Sequence, residues 1–311
     1  SPTSGIFFSI PTASILMPAT NSKDTATTPT HSVILRFSNT LKLFAKNICA
    51  MKNATAPLIT APINARIIIC VRDALLFTPA TNAAAKIAIL ASIAFNSRVT
   101  MNQVFTEGIR RISPVDLAMA HEMGYAVKLL AHAYRSDGGI DVRVHPTMIP
   151  ESHQLATVNG VFNAIYTVGD AAGENMFFGE GAGAGPAASA VMGDVLEVAR
   201  HLQMGIKPIV GCTCTDELPI LSVEDLHTKY YIRFVVADRS GVLASAADIF
   251  AKYDVSVKTV TQRGNAARDD VDLVFVTHTA EERNVRKAID DILALEGVVT
   301  GGFPSVIRVQ D

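Results

Sequence analysis

The glycines of this 311-residue chain are placed very unevenly. Gly5 stands alone before Gly108, and the other nineteen of the twenty lie at or after that position. Glycine supplies the left-handed turns and close backbone approaches that ligand-binding α/β folds rely on, so the two parts cannot share one architecture. The same seam shows in charge. Residues 1–80 hold two acids, Asp24 and Asp73, against seven Lys or Arg, with eleven Thr and seven of the fourteen Pro, whereas residues 81–311 hold 20 basic and 27 acidic residues. Within the first part, Pro11 to Pro18 and Ser22 to Thr30 read as loop or disorder. Apolar runs at Ile6 to Ile10 and Ile67 to Val71 are strand-like but lack flanking turn chemistry. The acid-poor, hydroxyl-rich composition is partly that of a transit peptide, but the prolines and the lack of an Arg-rich amphipathic helix argue against one.

Taken whole, the chain is 49% hydrophobic, enough for two or three packed cores. A formal net charge of −2 gives no basic footprint for nucleic acid. Four cysteines cannot staple a chain of this length and point to a reducing compartment, the cytoplasm. No apolar run reaches the roughly 18 residues of a membrane span. The expectation is a mixed α/β protein of α+β type, with neither nucleic acid nor membrane as a partner.

Regular patterning begins at Asn82. Ala83 to Phe95 is apolar apart from Lys86 and Ser92 and reads as a buried helix. Ser113-Pro114 opens a second helix, with Ser as its cap, and Gly124 closes it. Ala126 to Ala131 and Ile140 to Val144 are strands joined through Ser136-Asp137-Gly138-Gly139, a hairpin signal. Val158 to Val168 and Asn175 to Phe178 are strands around the turn at 169–173. Gly179 to Gly185 is a glycine-rich loop, and Pro186 starts a helix running to about Leu202. This gives a mixed sheet with helices on one face over 82–206. Residues 207–229 lack a period and read as a linker. From 230 to 311 the order is βαββαβ, a ferredoxin-like unit, expected to stand separately.

Few residues suggest chemistry, and each has a plain alternative. Lys86 is the one charge in its apolar helix. It either snorkels to water or holds an ammonium in a cleft, where it can protonate an oxygen that changes between carbonyl and alcohol. Gly179, Gly181, Gly183 and Gly185 either form a flexible connection or let a ligand approach a helix N-terminus, although the spacing is not the dinucleotide fingerprint. Cys212 and Cys214 have no zinc-ligand partners. His121, His132, His145 and His153 are unpartnered in sequence and read as surface or core histidines, so no metal is expected. Asp238 to Leu243 makes a strand-to-helix turn in which Asp238 can cap and Gly241 admits a close neighbour.

Six ordered motifs then carry a resemblance. They are Lys86 to Phe95 (KIAILASIAF), Thr106 to Ile112 (TEGIRRI), Gly124 to Ala131 (GYAVKLLA), Val142 to Pro150 (VRVHPTMIP), Val158 to Ala164 (VNGVFNA) and Gly181 to Ala190 (GAGAGPAASA). Together they resemble homoserine dehydrogenase over 82–206, and the last unit resembles the ACT domain that many members carry. The resemblance implies interconversion of L-aspartate 4-semialdehyde and L-homoserine with NAD or NADP, on the route to threonine, methionine and isoleucine, in a homo-oligomer such as a dimer. It implies Lys86 as the catalytic proton donor, Gly181, Ala182 and Gly183 as the loop bordering the nicotinamide, and Asn82 as a substrate contact. It further implies Asp238 and Gly241 as regulatory contacts for L-threonine.

The departures matter equally. Asn82 stands where the family has an aspartate. Residues 1–81 match nothing in the family, and with one glycine they build no recognisable Rossmann turn. They are expected to be a poorly ordered segment, a wrong-frame or misjoined stretch, leaving activity impaired. The competing reading is a non-catalytic amino-acid-binding and dimerising module.

Overall fold

A computed structural model describes residues 66–70, 79–169, 172–181, 183–206, 214–264 and 270–310. The readings made for 1–65, for Ala182, for Cys212 and for the first part of the linker lie outside the described residues.

Strand β1, Arg66–Cys70, precedes the first helix, α1, Pro79–Phe95. The apolar run in this region is therefore a strand, and it is central: β1 pairs antiparallel with both β3, Tyr125–Ser136, and β5, Phe162–Gly169. Cross-strand packing, rather than flanking turn residues, fixes it there. Ile67, Ile68 and Ile69 are all buried, as expected for a strand covered on both faces. The expectation that nothing before 82 joins the sheet is corrected for these five residues.

The short β2, Phe105–Thr106, leads to helix α2, Pro114–Glu122, which is capped by Ser113. Ser113 Oγ accepts from the Asp116 N–H, while Asp116 Oδ2 accepts from the Ser113 N–H at 2.9 Å, a reciprocal capping arrangement. The expected hairpin forms between β3 and β4, Gly139–Pro150, with Ser136 opposite Gly139. Strand β5 is followed by β6, Gly173–Glu180, and helix α3, Ala184–Met204. Strand β5 starts at Phe162 rather than Val158, because Gln154–Thr157 forms a 3₁₀ turn that covers the sheet with Leu155.

The last unit contains β7, His227–Ala237; α4, Val242–Lys252; β8, Val257–Gly264; β9, Asp270–Thr277; the two-residue β10, Ala280–Glu281; α5, Glu282–Leu293; and β11, Ser305–Val309. It does not stand apart. Strand β11 pairs antiparallel with β7 and parallel with β4, giving one sheet in the order β6-β5-β1-β3-β4-β11-β7-β9-β8.

Alternation along the strands sets the layers. Helix α1 packs on Ile67, Ile69, Ala131, Ala133, Val142 and Val144, while Ile68, Leu130 and Ile149 face the opposite side. Helices α4 and α5 cover Tyr230, Ile232, Phe234 and Phe275 of the last unit. Helix α2 covers that unit's reverse face through Met119 and Ala120 against Tyr231, Val274 and Ile307. Beyond Cys214 the linker reading is corrected. Leu218 and Ile220 pack on the α1 core, and the N–H groups of Ile140 and Leu221 bond to Pro219 and Ile140 carbonyls, each at 2.8 Å. The segment has no period because it is a strap, held by two apolar anchors and a few backbone bonds.

Candidate active site

Helix α1 is apolar on nearly every side and buries Ala83, Ala84, Ile87, Leu90 and Phe95. Asn82 and Lys86 are one turn apart and therefore share a face, with Asn82 exposed and Lys86 half-buried.

Strand β6 brings the glycine loop to the same side of the sheet. Phe177 packs with the α1 cluster, and the strand ends at Glu180. Gly181 follows with its N–H 3.4 Å from the Val161 carbonyl, so close to Asn163 that an added Cβ would lie 1.2 Å from the Asn163 Nδ2. Gly183 caps α3 at φ +132° with no side-chain hydrogen bond to the helix end. A glycine at this position brings no side chain of its own to the first N–H groups of the helix. Pro186, expected to start the helix, lies within its first turn instead. A helix start of this kind has the chemistry to offer backbone N–H donors to the polar edge of a ligand such as a nicotinamide carboxamide.

In the last unit, Asp238 and Gly241 line one cavity of about 300 Å³ with Arg239, Ser240 and Gln262. Gly241 sits at φ +92° and is itself the residue capping α4. The capping role read for Asp238 is corrected, since its carboxylate instead accepts from Gln262 Nε2 at 3.3 Å.

Sequence reasoning missed the two buried ionic groups that tie the parts together. Arg233 on β7 donates to Asp116 at 2.6 Å and to Asp272 at 2.7 Å, and Tyr231 Oη also donates to Asp116. Burial pushes the Asp116 carboxyl up, but bonds from Arg233 and Ser113 outweigh it and hold the group below the usual range. Arg308 on β11 pairs with Glu282 of α5 at 2.5 Å and with Glu107, just after β2, at 2.8 Å. The Glu282 carboxyl is likewise held low, its bonds from Arg308, Tyr230 and Arg286 prevailing over burial. These partners are 117 and 201 residues apart, so no local pattern announces them. Of the histidines, His121 meets Glu151 at the surface and His153 caps the 3₁₀ turn, while His132 and His145 are buried and stacked at 5.0 Å. Cys214 is exposed and forms no disulfide. Among the described residues, no group of three His, Cys, Asp or Glu is placed to hold a metal, and no helix is long and apolar enough to cross a membrane.

Comparison with known proteins bears directly on this arrangement. The homoserine dehydrogenase family pattern matches residues 79–196, and the ACT domain pattern matches 230–297. The crystal structure of a homoserine dehydrogenase from Thiobacillus denitrificans superposes with a TM-score of 0.68 at 30% identity, covering 85% of this chain and 67% of that one. This chain belongs to the homoserine dehydrogenase family. The homoserine dehydrogenase of Synechocystis is 41% identical over 237 residues, or 73% of this chain and 54% of that protein. The Corynebacterium glutamicum protein of the same name is 42% identical over 234 residues, or 74% and 52%. The chain spans about half the length of these curated relatives, in an oxidoreductase family whose members use NAD or NADP. The mixed sheet with an ACT domain is the architecture expected from the sequence.

Proposed function

We propose that this chain carries the substrate-reducing half of a homoserine dehydrogenase, acting on L-aspartate 4-semialdehyde and L-homoserine. The single observation behind the reading is the placement of Asn82 and Lys86 on one face of α1, on the side of the sheet toward which β6 leads its glycine loop. In the reducing direction the Lys86 ammonium donates its proton to the aldehyde oxygen as negative charge develops there, and in the oxidising direction the amine recovers it. The Asn82 side-chain oxygen accepts from the substrate ammonium. Gly181, Ala182 and Gly183 border the nicotinamide, with N–H groups at the start of α3 as donors to its carboxamide. The bound cofactor supplies or accepts the hydride.

Residues 1–81, with Gly5 as their one glycine, do not provide the glycine-rich turn that holds a dinucleotide pyrophosphate. Turnover by this polypeptide alone is therefore slow, and NAD and NADP are both retained as cofactors. The reaction belongs to threonine, methionine and isoleucine formation in the cytoplasm. The ACT cavity at Asp238 and Gly241 takes L-threonine in a homo-oligomer, a dimer. The test is oxidation of NADPH by the purified chain on addition of aspartate semialdehyde. A slow, substrate-dependent rate abolished by Lys86→Ala supports the enzyme. Threonine binding with no such rate supports instead the amino-acid-binding module, the reading favoured by the cavity beside Gly241.

A further inference from the structure

On the face of the sheet opposite α1, a second cavity of about 470 Å³ opens beneath the strap that follows Pro219. Its floor is one cross-strand row, Arg66 on β1, Tyr134 on β3 and Asp141 on β4, with Arg143 one row further along. Ser222 and His227 close it from above. The charges here do not balance. Arg308 is met by Glu282 and Glu107, and Arg143 by Asp141 through its Nη1, while its Nε donates to His145 at 3.0 Å. Asp225, on the rim, is engaged by Arg283 at 2.5 Å. Arg66 meets no carboxylate among the described residues. Burial lowers its proton affinity, and among those residues the only groups that offset this are the phenols of Tyr134 and Tyr166. A half-buried guanidinium with no counter-charge is costly to hold, and a planar fork of donors matches a carboxylate or phosphoryl group.

We propose that this cavity is an anion-binding site, in which Arg66, with Arg143 beside it in the lining, grips the carboxylate or phosphoryl group of a small metabolite, with Tyr134 and Ser222 as flanking donors. The volume falls within the range of small-molecule sites, larger than a bare ion requires. The positive field is felt deeper in the protein too. Burial lowers the proton affinity of His132, and Arg143, Arg66 and Arg308 lower it further. Burial brings Arg143 down to about 10, and Arg308 and Arg66 add to the effect. A bound anion relieves that mutual repulsion. The proposal is independent of the redox reading, because the cavity lies on the other face of the sheet from Lys86.

The test uses the whole chain, with inorganic phosphate and acetate as probes against sodium chloride at matched ionic strength. One probe or both should raise the unfolding midpoint along a saturable single-site curve, and the more effective probe names the group recognised. Arg66→Gln should weaken that binding at least tenfold. Because the variant can also disturb β1, the parent protein is labelled in parallel with phenylglyoxal and read by peptide mass. The effective anion should slow modification of Arg66 at least threefold while leaving the exposed Arg98 unaffected. No saturable rise over chloride overturns the site, as does parent-like binding by a folded Arg66→Gln. Labelling of Arg66 that neither anion slows overturns it as well.

Discussion

Lys86 and Asn82 differ in what their chemistry can be asked to do. A proton donor acts as the oxyanion develops, so in a protein completed with a dinucleotide-binding domain Lys86→Ala should lower kcat by about 100-fold while leaving NADPH affinity within about twofold. Lys86→Arg should fare little better, because a guanidinium keeps its charge but hardly releases its proton. Steady-state rates and a fluorescence titration with NADPH check both, and unchanged turnover in the alanine variant returns Lys86 to a snorkelling role. Asn82 offers an uncharged acceptor to a substrate that carries an ammonium. Asn82→Asp supplies the missing charge, and a charge-assisted bond is stronger than a neutral one by about 1 kcal/mol. The KM for aspartate semialdehyde should then fall about fivefold with little change in kcat. A KM that stays put in Asn82→Asp removes Asn82 from the substrate contacts.

At the level of elements, the clearest dependence is that of the β3–β4 hairpin on the strap. Gly139 sits at φ +140°, and an added Cβ would lie 2.3 Å from the Pro219 carbonyl oxygen, a backbone atom. Gly139→Ala must either push the strap away or open the hairpin, and the cost should be about 2–3 kcal/mol. Denaturant unfolding should show it, whereas Gly138→Ala, whose nearest neighbour would be Leu221 Cδ2 at 3.8 Å, should be far milder. This hairpin also marks what was legible. Asp137-Gly138-Gly139 and the capping Ser113 announced their elements, because turn and cap chemistry is local. The periods of α4 and α5 likewise gave the βαββαβ order, which the structure carries. What escaped notice rests on partners distant in sequence. Arg66–Cys70 is a strand because β3 and β5 accept it, and 214–226 is a strap because Leu218 and Ile220 find the α1 core. The site divides in the same way. Asn82, Lys86 and the glycines stand in short motifs, whereas Arg66 and Arg143 come together through strand register alone.

For the whole molecule, the parts are bound by charges buried in the seam, and these set how the protein responds to acid. Arg308 is 3% exposed and answers Glu282 and Glu107 together, so Arg308→Met leaves Glu282 buried without its main partner and should cost about 3–5 kcal/mol. His132 and His145 act over a different pH range from these carboxylates. Both imidazoles are held well below the ordinary value of 6.5, by burial first and then by the arginines around them. The Arg143 Nε–H donates to His145 Nε2, which requires that nitrogen to be unprotonated, and Nδ1 lies 3.0 Å from the Pro146 carbonyl as its donor. Below 6.5 the unfolded chain binds protons at both histidines and the folded chain does not, so stability is constant above that value and lost as pH falls through it. Each histidine contributes a slope approaching 1.4 kcal/mol per pH unit. The carboxylates Asp116 and Glu282 are also held low, but they withdraw stability only below their unfolded values of 3.8 and 4.5, so the two effects are separate. Unfolding free energies measured between about pH 8 and pH 5 should therefore be flat at first and then fall from near 6.5. In His132→Gln the fall should be shallower, with His145 and the partly buried His153, whose imidazole burial also holds below 6.5, left to titrate. A parent profile that stays level down to pH 5 would mean that both rings take up protons in the folded protein, against the three arginines that surround them.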